Sequence, residues 1–119
     1  MTQEEILDYN KLCAESLGWE YAKDRDIWNP NMHHDYSFTY SINLKFHSDW
    51  NWIHEVLEAI EKLNYYTKNE CIRGVNYFNI YELKNNEATF YGTDNSKKEA
   101  VVEAINQFLI WHKINNNEK

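Results

Sequence analysis

Residues 36–46 carry the pattern that most restricts the fold, because hydrophobic and polar side chains alternate there without a break. A period of two places alternate residues on opposite faces of a β-strand, so this segment predicts a strand with one buried face. It is the strongest strand pattern in the chain. The hydrophobic positions of the predicted strand are Tyr36, Phe38, Tyr40, Ile42, Leu44 and Phe46.

A helix is predicted directly after this strand, beginning near Ser48 or Asp49, which are both good N-cap residues. Trp50 and Trp52 open the helix, and residues two apart on a helix point roughly 160° from each other. Both indoles cannot enter one core, so we expect at least one of them near the surface. The core-facing stripe of this helix consists of Ile53, Val56, Leu57, Ile60 and Leu63.

The N-terminal segment predicts another helix, which begins at Thr2 and ends before Gly18. Thr2 and Glu5 have the spacing of a capping box, and a glycine often ends a helix in the left-handed conformation. Residues 19–35 lose all periodicity and include the only proline, so they predict the longest loop of the chain. The apolar face of the first helix is formed by Ile6, Tyr9, Cys13 and Leu17.

The second half of the chain predicts a β-hairpin. Its strands are the segments 77–83 and 88–91, and residues 84–86 between them include two asparagines, which tolerate the positive φ of tight turns. Residues 65–75, which precede the hairpin, are interpreted as a polar connection that contains a short extended part.

The last helix is predicted to begin with a second capping box, formed by Ser96 and Glu99, and residues 115–119 are expected to fray. The resulting element order α-β-α-β-β-α predicts an α+β domain, with a small, mostly antiparallel sheet of about three strands and helices on both faces. We expect residues 1–114 to form one domain. The core-facing side chains of the last helix are Val101, Ala104, Ile105, Phe108, Leu109 and His112.

The net charge of −7 restricts the classes of partner. Residues 1–35 hold eight acidic and three basic side chains, which disfavours binding to nucleic acid and favours a basic protein partner, unless these charges serve only solubility. The acidic N-terminus does not resemble a signal peptide, and no run of roughly 20 apolar residues could cross a bilayer. We therefore expect a cytoplasmic protein without membrane contact.

Catalytic and metal-binding motifs are missing from the sequence. His33, His34, His47 and His54 lack the paired spacings of zinc sites, and no glycine-rich phosphate loop or serine nucleophile motif is present. Cys13 falls on an apolar helix face, where burial would raise the pKa of its thiol. We expect no catalytic residue, no metal site and no cofactor, and therefore a protein that is not an enzyme.

Aromatic residues are abundant, with nine Tyr and five Trp. Aromatic side chains are enriched at the centres of protein interfaces, although here they could equally fill the ends of the fold. Ile110 and Ile114 lie opposite the core face of the last helix and could form a contact with a second copy of the chain or with another partner. The candidate binding residues are the aromatic side chains Trp28, Trp50, Tyr65 and Tyr66 and the acidic side chains Glu4, Glu5 and Asp8.

Three segments give the chain a resemblance to a known family. They are the helix start Ser48-Asp49-Trp50-Asn51, the helical run Val56-Leu57-Glu58-Ala59-Ile60-Glu61-Lys62-Leu63 and the last helix, which starts at Ser96-Lys97-Lys98-Glu99-Ala100 and ends near Trp111. With the aromatic hairpin between them, they resemble the phage ABA sandwich domain family. The resemblance implies a helix/sheet/helix sandwich and a phage or prophage origin, and it implies no catalytic residues.

These observations favour a non-enzymatic phage accessory protein that binds and inhibits a host protein or nucleoprotein complex, for example as a counter-defence inhibitor of the anti-CRISPR kind. Two alternatives remain open. One is a phage structural or regulatory protein without a defence role. The other is a protein that sequesters a signalling nucleotide, with the base stacked on Trp28, Tyr36 or Trp50 and the phosphate bound by Arg25, Arg73 or Lys45.

Overall fold

The computed structural model describes residues 1–30, 39–83 and 88–117. Three helices and six strands form in these ranges, together with a short 3-10 helix at Ser41–Asn43. Their order in the chain is α1 (Gln3–Ser16), β1 (Glu20–Ala22), β2 (Ile27–Asn29), β3 (Thr39–Tyr40), α2 (Trp50–Glu61), β4 (Tyr65–Ile72), β5 (Val75–Glu82), β6 (Ala88–Asp94) and α3 (Lys97–Asn117).

The strands form two antiparallel sheets, which confirms the α+β class and, roughly, the predicted order of elements. The small sheet has the order β1-β2-β3, and the large sheet has the order β4-β5-β6. Helices were predicted on both faces of the sheet; in the described residues, α2 and α3 pack on the same face of the large sheet, and α1 packs against α2, α3 and the 3-10 helix. Among residues 1–30, 39–83 and 88–117, no helix packs on the opposite face of the large sheet.

Helix α1 begins as predicted. The Thr2 side chain accepts a hydrogen bond from the backbone N–H of Glu5, and the Glu5 carboxylate accepts one from the backbone nitrogen of Thr2 at 3.0 Å. Gly18 follows the helix with φ +79°, the left-handed conformation that glycine adopts without steric cost. Tyr9 and Cys13 face the core and are fully buried.

The structure corrects the long loop predicted for residues 19–35. Residues 20–29 form the antiparallel pair β1 and β2, with Tyr21 opposite Trp28. Short strands with charged residues at the turn between them lack the hydrophobic alternation on which the prediction depended. Residues 31–35 lie outside the described part of the chain.

The predicted strand at 36–46 is wrong over most of its described length. Only Thr39 and Tyr40 are extended in a sheet, and the 3-10 helix that follows leaves Ile42 83% exposed while Ser41 is buried. Ser41 is held by its hydroxyl, which donates to the Asp26 carboxylate at 2.7 Å and accepts from the indole of Trp28. This polar contact overrides the alternation. Leu44 and Phe46 are in the core as expected, and Tyr36 and Phe38 lie outside the described residues.

Helix α2 has the predicted N-cap, since the Asp49 carboxylate accepts from the backbone N–H of Asn51 at 2.9 Å. Trp50 and Trp52 are both half-buried. Four of the five stripe residues, Ile53, Val56, Leu57 and Ile60, are buried. Leu63 is the exception at 46% exposed, because the helix ends at Glu61 and Leu63 lies in the turn that follows.

Residues 65–72 form a continuous strand, where a polar connection was predicted. Strand β4 pairs with β5 along its whole length, through a two-residue turn at Arg73 and Gly74. Both turn residues have positive φ, +52° and +80°, as in the turns that match the twist of a hairpin. The β5–β6 hairpin is confirmed by its antiparallel pairing, while residues 84–87, which include its predicted turn, lie outside the described residues.

Helix α3 supplies the largest part of the core facing the large sheet. Half of its predicted capping box is present, because the backbone N–H of Glu99 donates to the Ser96 hydroxyl. The backbone N–H of Ser96 donates to the Asp94 carboxylate at 2.9 Å, where the capping box predicted the Glu99 side chain. The helix extends to Asn117, so the tail predicted to fray at 115–119 is helical as far as the structure describes it. His112 is half-buried, and the buried side chains of the predicted face are Val101, Ala104, Ile105, Phe108 and Leu109. In the described residues, no helix is both long and apolar enough to cross a membrane.

Helix α3 approaches the sheet very closely at Gly92 of β6. A Cβ at this position would lie 1.9 Å from the carbonyl oxygen of Ala100 in α3. Such a distance is impossible without a backbone shift. Only glycine therefore lets the start of α3 lie directly on the strand.

We expect Gly92→Ala to destabilise the fold by about 1–3 kcal/mol or more, because α3 must move away from β6. Urea unfolding followed by circular dichroism measures this change. The neighbouring Thr93→Ala, at an exposed position, is the matched control and should cost less than about 1 kcal/mol. Equal unfolding midpoints for Gly92→Ala and wild type would contradict the close approach.

Candidate functional site

The predicted binding residues lie in different parts of the molecule. Trp28 was predicted to bind a partner, but it is only 5% exposed, so its indole is not available for such a contact. It belongs to the core of the small sheet, where it packs against Tyr21 with 4.6 Å between ring centroids. Its ring nitrogen donates to Ser41 at 2.9 Å. The role of Trp28 in this structure is to hold the small sheet to the chain that enters α2.

Glu4, Glu5 and Asp8 are exposed on the first two turns of α1. Hydrogen bonds from Thr2 lower the pKa of the Glu5 carboxyl, because they favour its ionised form. Glu5 therefore has a structural role as a capping residue. The three carboxylates add to the negative charge of the surface.

Tyr65 and Tyr66 are neighbours in sequence but lie on opposite faces of β4, as the period of a strand requires. Tyr65 packs edge-on against Phe108 of α3, and burial raises the pKa of its hydroxyl, with a further contribution from Glu82. Tyr66 stacks on Tyr81 of β5, with 4.9 Å between centroids and 11° between ring planes. Only Tyr66 lies on the face without a helix.

This face is the first candidate surface, and we call it the outer sheet face. The register of the strands places Tyr66 beside Tyr81, Glu70 beside Tyr77 and Asn79 beside Tyr91. Tyr77 is 38% exposed, Ile72 is 53% exposed and Tyr91 is 58% exposed. Its charges balance, since Lys68 and Glu70 form an ion pair at 3.0 Å. The residues of the outer sheet face are Tyr66, Lys68, Glu70, Ile72, Val75, Tyr77, Asn79, Tyr81, Tyr91 and Thr93.

The second candidate is a cleft of about 720 Å³ on the other side of the same sheet, which we call the Trp50 cleft. It lies between α2, the start of α3 and the inner face of β4 and β5. The rings of Trp50 and His54 lie 5.8 Å apart along one wall. The ammonium groups of Lys97 and Lys98 approach the Trp50 ring to 6.0 and 5.8 Å. The cleft is lined by Trp50, His54, Leu57, Glu58, Glu61, Thr67, Asn69, Phe78, Lys97 and Val101.

A third feature joins α1 to the segment before α2. The buried Asn10 amide nitrogen donates to the carbonyl of Leu44 at 3.1 Å and lies 3.0 Å from Nδ1 of His47. Accepting this bond requires an unprotonated Nδ1. Burial lowers the pKa of His47, with a smaller effect of the positive charge of Lys98, so both factors favour the neutral ring. His47 is thus a structural acceptor in this arrangement.

The described residues offer little for nucleophilic or metal chemistry. Cys13 is fully buried, and burial raises the pKa of its thiol far above the usual range. In residues 1–30, 39–83 and 88–117, no group of three His, Cys, Asp or Glu side chains is placed to hold a metal ion. His33, His34 and Tyr36 lie outside these ranges. The basic residues proposed to bind a phosphate, Arg25, Arg73 and Lys45, are exposed on separate segments and do not line the Trp50 cleft.

Sequence reasoning identified Trp50 but missed the lysines beside it and most of the outer sheet face. The pair of lysines at 97–98 was the only such run in the sequence, but nothing local connected it to Trp50. Tyr77, Tyr81 and Tyr91 were assigned to strands without a prediction of which face stays uncovered. Comparison with known proteins adds no relative, because no family model, curated protein or solved structure matches this chain significantly.

The burial difference between the two cysteines gives a chemical prediction. Cys71 is exposed and Cys13 is buried, and neither forms a disulfide. We expect a thiol reagent such as dithionitrobenzoate to modify one thiol in the native protein and both after denaturation. Cys71→Ser should abolish the native reaction. Fast modification of Cys13 in folded Cys71→Ser would contradict its place in the core.

The environment of His47 predicts a pH effect on stability. Its pKa in the folded state is below the ordinary value of 6.5, so the unfolded chain takes up the proton first as the pH falls. The stability that the neutral ring contributes is complete above pH 6.5 and is lost as the pH falls through the lower folded-state pKa. Urea unfolding at a series of pH values should therefore show that the free energy of unfolding falls less for His47→Gln than for wild type as the pH is lowered below 6.5. A matched variant of the exposed His54, His54→Gln, should follow wild type, and identical profiles for all three proteins would refute this role.

Proposed function

We propose that the protein is a non-enzymatic binding protein that attaches to another protein through the outer sheet face and inhibits it by occupying its surface. The observation that carries this proposal is the set of exposed side chains Ile72, Tyr77 and Tyr91 on a sheet face without a helix. A hydrophobic sheet face is usually covered by another layer. Tyrosines suit an interface because each one offers a large apolar ring with a hydroxyl that stays hydrogen-bonded.

The charge of the chain supports a basic partner. The net charge of −7 attracts a basic surface over a distance of about a Debye length, roughly 10 Å in moderate salt. The outer sheet face itself is balanced by the Lys68–Glu70 pair, so its centre can be desolvated without burying an unpaired charge. Glu4, Glu5 and Asp8 lie on α1 and would contribute to this field rather than to the contact itself.

The similarity of the sequence to the phage ABA sandwich domain family supports a further part of the proposal, that the protein acts in a phage-infected host cell. A small acidic protein that covers a basic surface of a host nucleoprotein would compete with its nucleic acid, which is how a counter-defence inhibitor of the anti-CRISPR kind can act. The proposal includes a cytoplasmic location in the host and needs no cofactor. The partner that best complements this protein has an apolar patch, which would contact the outer sheet face, surrounded by a basic surface.

The test is a photo-crosslinking experiment in host cells. A benzoylphenylalanine residue at position 77 should crosslink a basic protein, and the same residue at position 40 should not. Tyr40 is the matched control, because it is an exposed tyrosine on the small sheet.

Purified partner then allows affinities to be compared by calorimetry. Tyr77→Ser/Tyr91→Ser should weaken binding by at least about tenfold, since tyrosines at the centre of an interface contribute about 1–2 kcal/mol or more. Tyr40→Ser/Ile42→Ser should bind as wild type, and added salt should weaken binding. Undiminished affinity of the outer-face variant, or crosslinking from position 40 alone, would refute the proposal.

A further inference from the structure

We propose that the Trp50 cleft binds a mononucleotide that carries an amino-substituted base. The cleft has a volume of about 720 Å³, within the range of small-molecule sites, roughly 300–1,000 Å³. Its walls combine four apolar side chains, Trp50, Leu57, Phe78 and Val101, with six polar ones. Each part of such a ligand has a corresponding part of the cleft.

The positive end of the cleft is suited to the phosphate. Lys97 and Lys98 lie next to each other at the start of α3, and both ammonium groups are within about 6 Å of the Trp50 ring. Lys98 is half-buried. Lys97 lines the cleft, and Lys98 lies beside it near the Trp50 ring. The ion pairs within the described ranges use Lys11, Lys68 and Lys113, so neither Lys97 nor Lys98 is neutralised by one of them. In a chain of net charge −7, these two adjacent lysines give this part of the surface a local positive charge that attracts an anion.

The aromatic wall is suited to the base. Trp50 and His54 lie one helical turn apart on α2, and their rings are inclined by 33°. Trp50 is half-buried, so its ring is fixed by packing and still reaches the cleft. Stacking of a base on an aromatic side chain contributes about 1–3 kcal/mol. A ligand with phosphate at Lys97 and Lys98 would have its base beside this wall.

The opposite end of the cleft selects the kind of base. Glu58 and Glu61 project from α2, and Thr67 and Asn69 project from the inner face of β4. Carboxylates accept hydrogen bonds, and an amide both accepts and donates. Adenine, guanine and cytosine have an exocyclic amino group that could donate to these oxygens, whereas uracil has none. The two carboxylates also repel phosphate, which orients the nucleotide and disfavours longer polyphosphates.

This site is separate from the surface proposed to bind a protein. Thr67, Asn69 and Phe78 belong to the inner face of the large sheet, and the tyrosines at 77 and 91 belong to its outer face. A nucleotide in the cleft would not cover the outer sheet face. Either proposal can therefore fail without the other.

The test is calorimetric titration of the whole protein with the monophosphates of adenosine, guanosine, cytidine and uridine. Amino-substituted nucleotides should bind at least about threefold more tightly than uridine monophosphate, because uracil lacks the amino donor. Nucleosides without phosphate should bind at least about tenfold more weakly than the monophosphates. Inorganic phosphate alone should bind more weakly still.

Variants connect binding to the cleft. Lys97→Gln/Lys98→Gln should weaken nucleotide binding by at least about tenfold. Lys23→Gln/Lys45→Gln makes the same change of net charge at exposed lysines elsewhere and should bind within about twofold of wild type. Trp50→Leu should also weaken binding, and the matched Trp111→Leu should not. Circular dichroism checks that each variant is folded. If Trp50→Leu does not fold, the proposal is judged from the Lys97→Gln/Lys98→Gln variant alone.

Three results would overturn the proposal. One is the lack of a heat of binding, and of any shift in the amide NMR spectrum, at millimolar nucleotide. Another is equal weakening by the two lysine pairs, which would mean that only the net charge matters. The third is tight binding of single-stranded oligonucleotides with no binding of mononucleotides, which would assign the lysines to a nucleic-acid surface.

Discussion

The contact between α3 and β6 at Gly92 determines where most other parts of the molecule can lie. Because β6 has no side chain there, the backbone of α3 at Ala100 can rest on the strand. Because α3 lies so close to the sheet, Phe108, further along the helix, packs edge-on against Phe90 and Tyr65. The distances between ring centroids are 5.3 Å to Phe90 and 4.9 Å to Tyr65. It also fixes the first turn of α3, and with it Lys97 and Lys98, beside Trp50 of α2. The core and the Trp50 cleft therefore depend on the same missing Cβ.

Local signals in the sequence predicted the helices well. The caps at Thr2, Asp49 and Ser96 depend on side chains within three residues of the backbone groups that they bind, so the sequence contains everything needed to recognise them. The stripe of α2 was predicted for the same reason, except at Leu63, where the helix had already ended. Such features need no knowledge of the rest of the fold.

The strands show where local patterns fail. The alternation around Ser41 predicted a strand, but the hydroxyl of Ser41 forms a hydrogen bond to Asp26, which is distant in sequence, and the chain turns there. Strand β4 is the opposite case, because it is a strand that lacks the alternation of hydrophobic and polar residues. It contains polar residues on both faces, since one side borders the Trp50 cleft and the other side is the outer sheet face. Its strand structure comes from pairing with β5 through the turn at Arg73 and Gly74. The period of hydrophobic residues within a segment could identify neither Asp26 as the partner of Ser41 nor β5 as the partner of β4.

The candidate sites follow from the same distinction. Trp50 was recognised because an indole at a capped helix start is conspicuous, while the lysines near it became relevant only when the fold brought the start of α3 to the start of α2. Strand β4 then separates the two candidate surfaces by its alternation alone, since Thr67 and Asn69 face the cleft and Lys68 lies between them on the outer sheet face. A change of backbone position in β4 would alter both surfaces at once. A single side chain reaches only one of them, since in β5 Phe78 faces the cleft and Tyr77 faces outward, so a side-chain substitution can be attributed to one site.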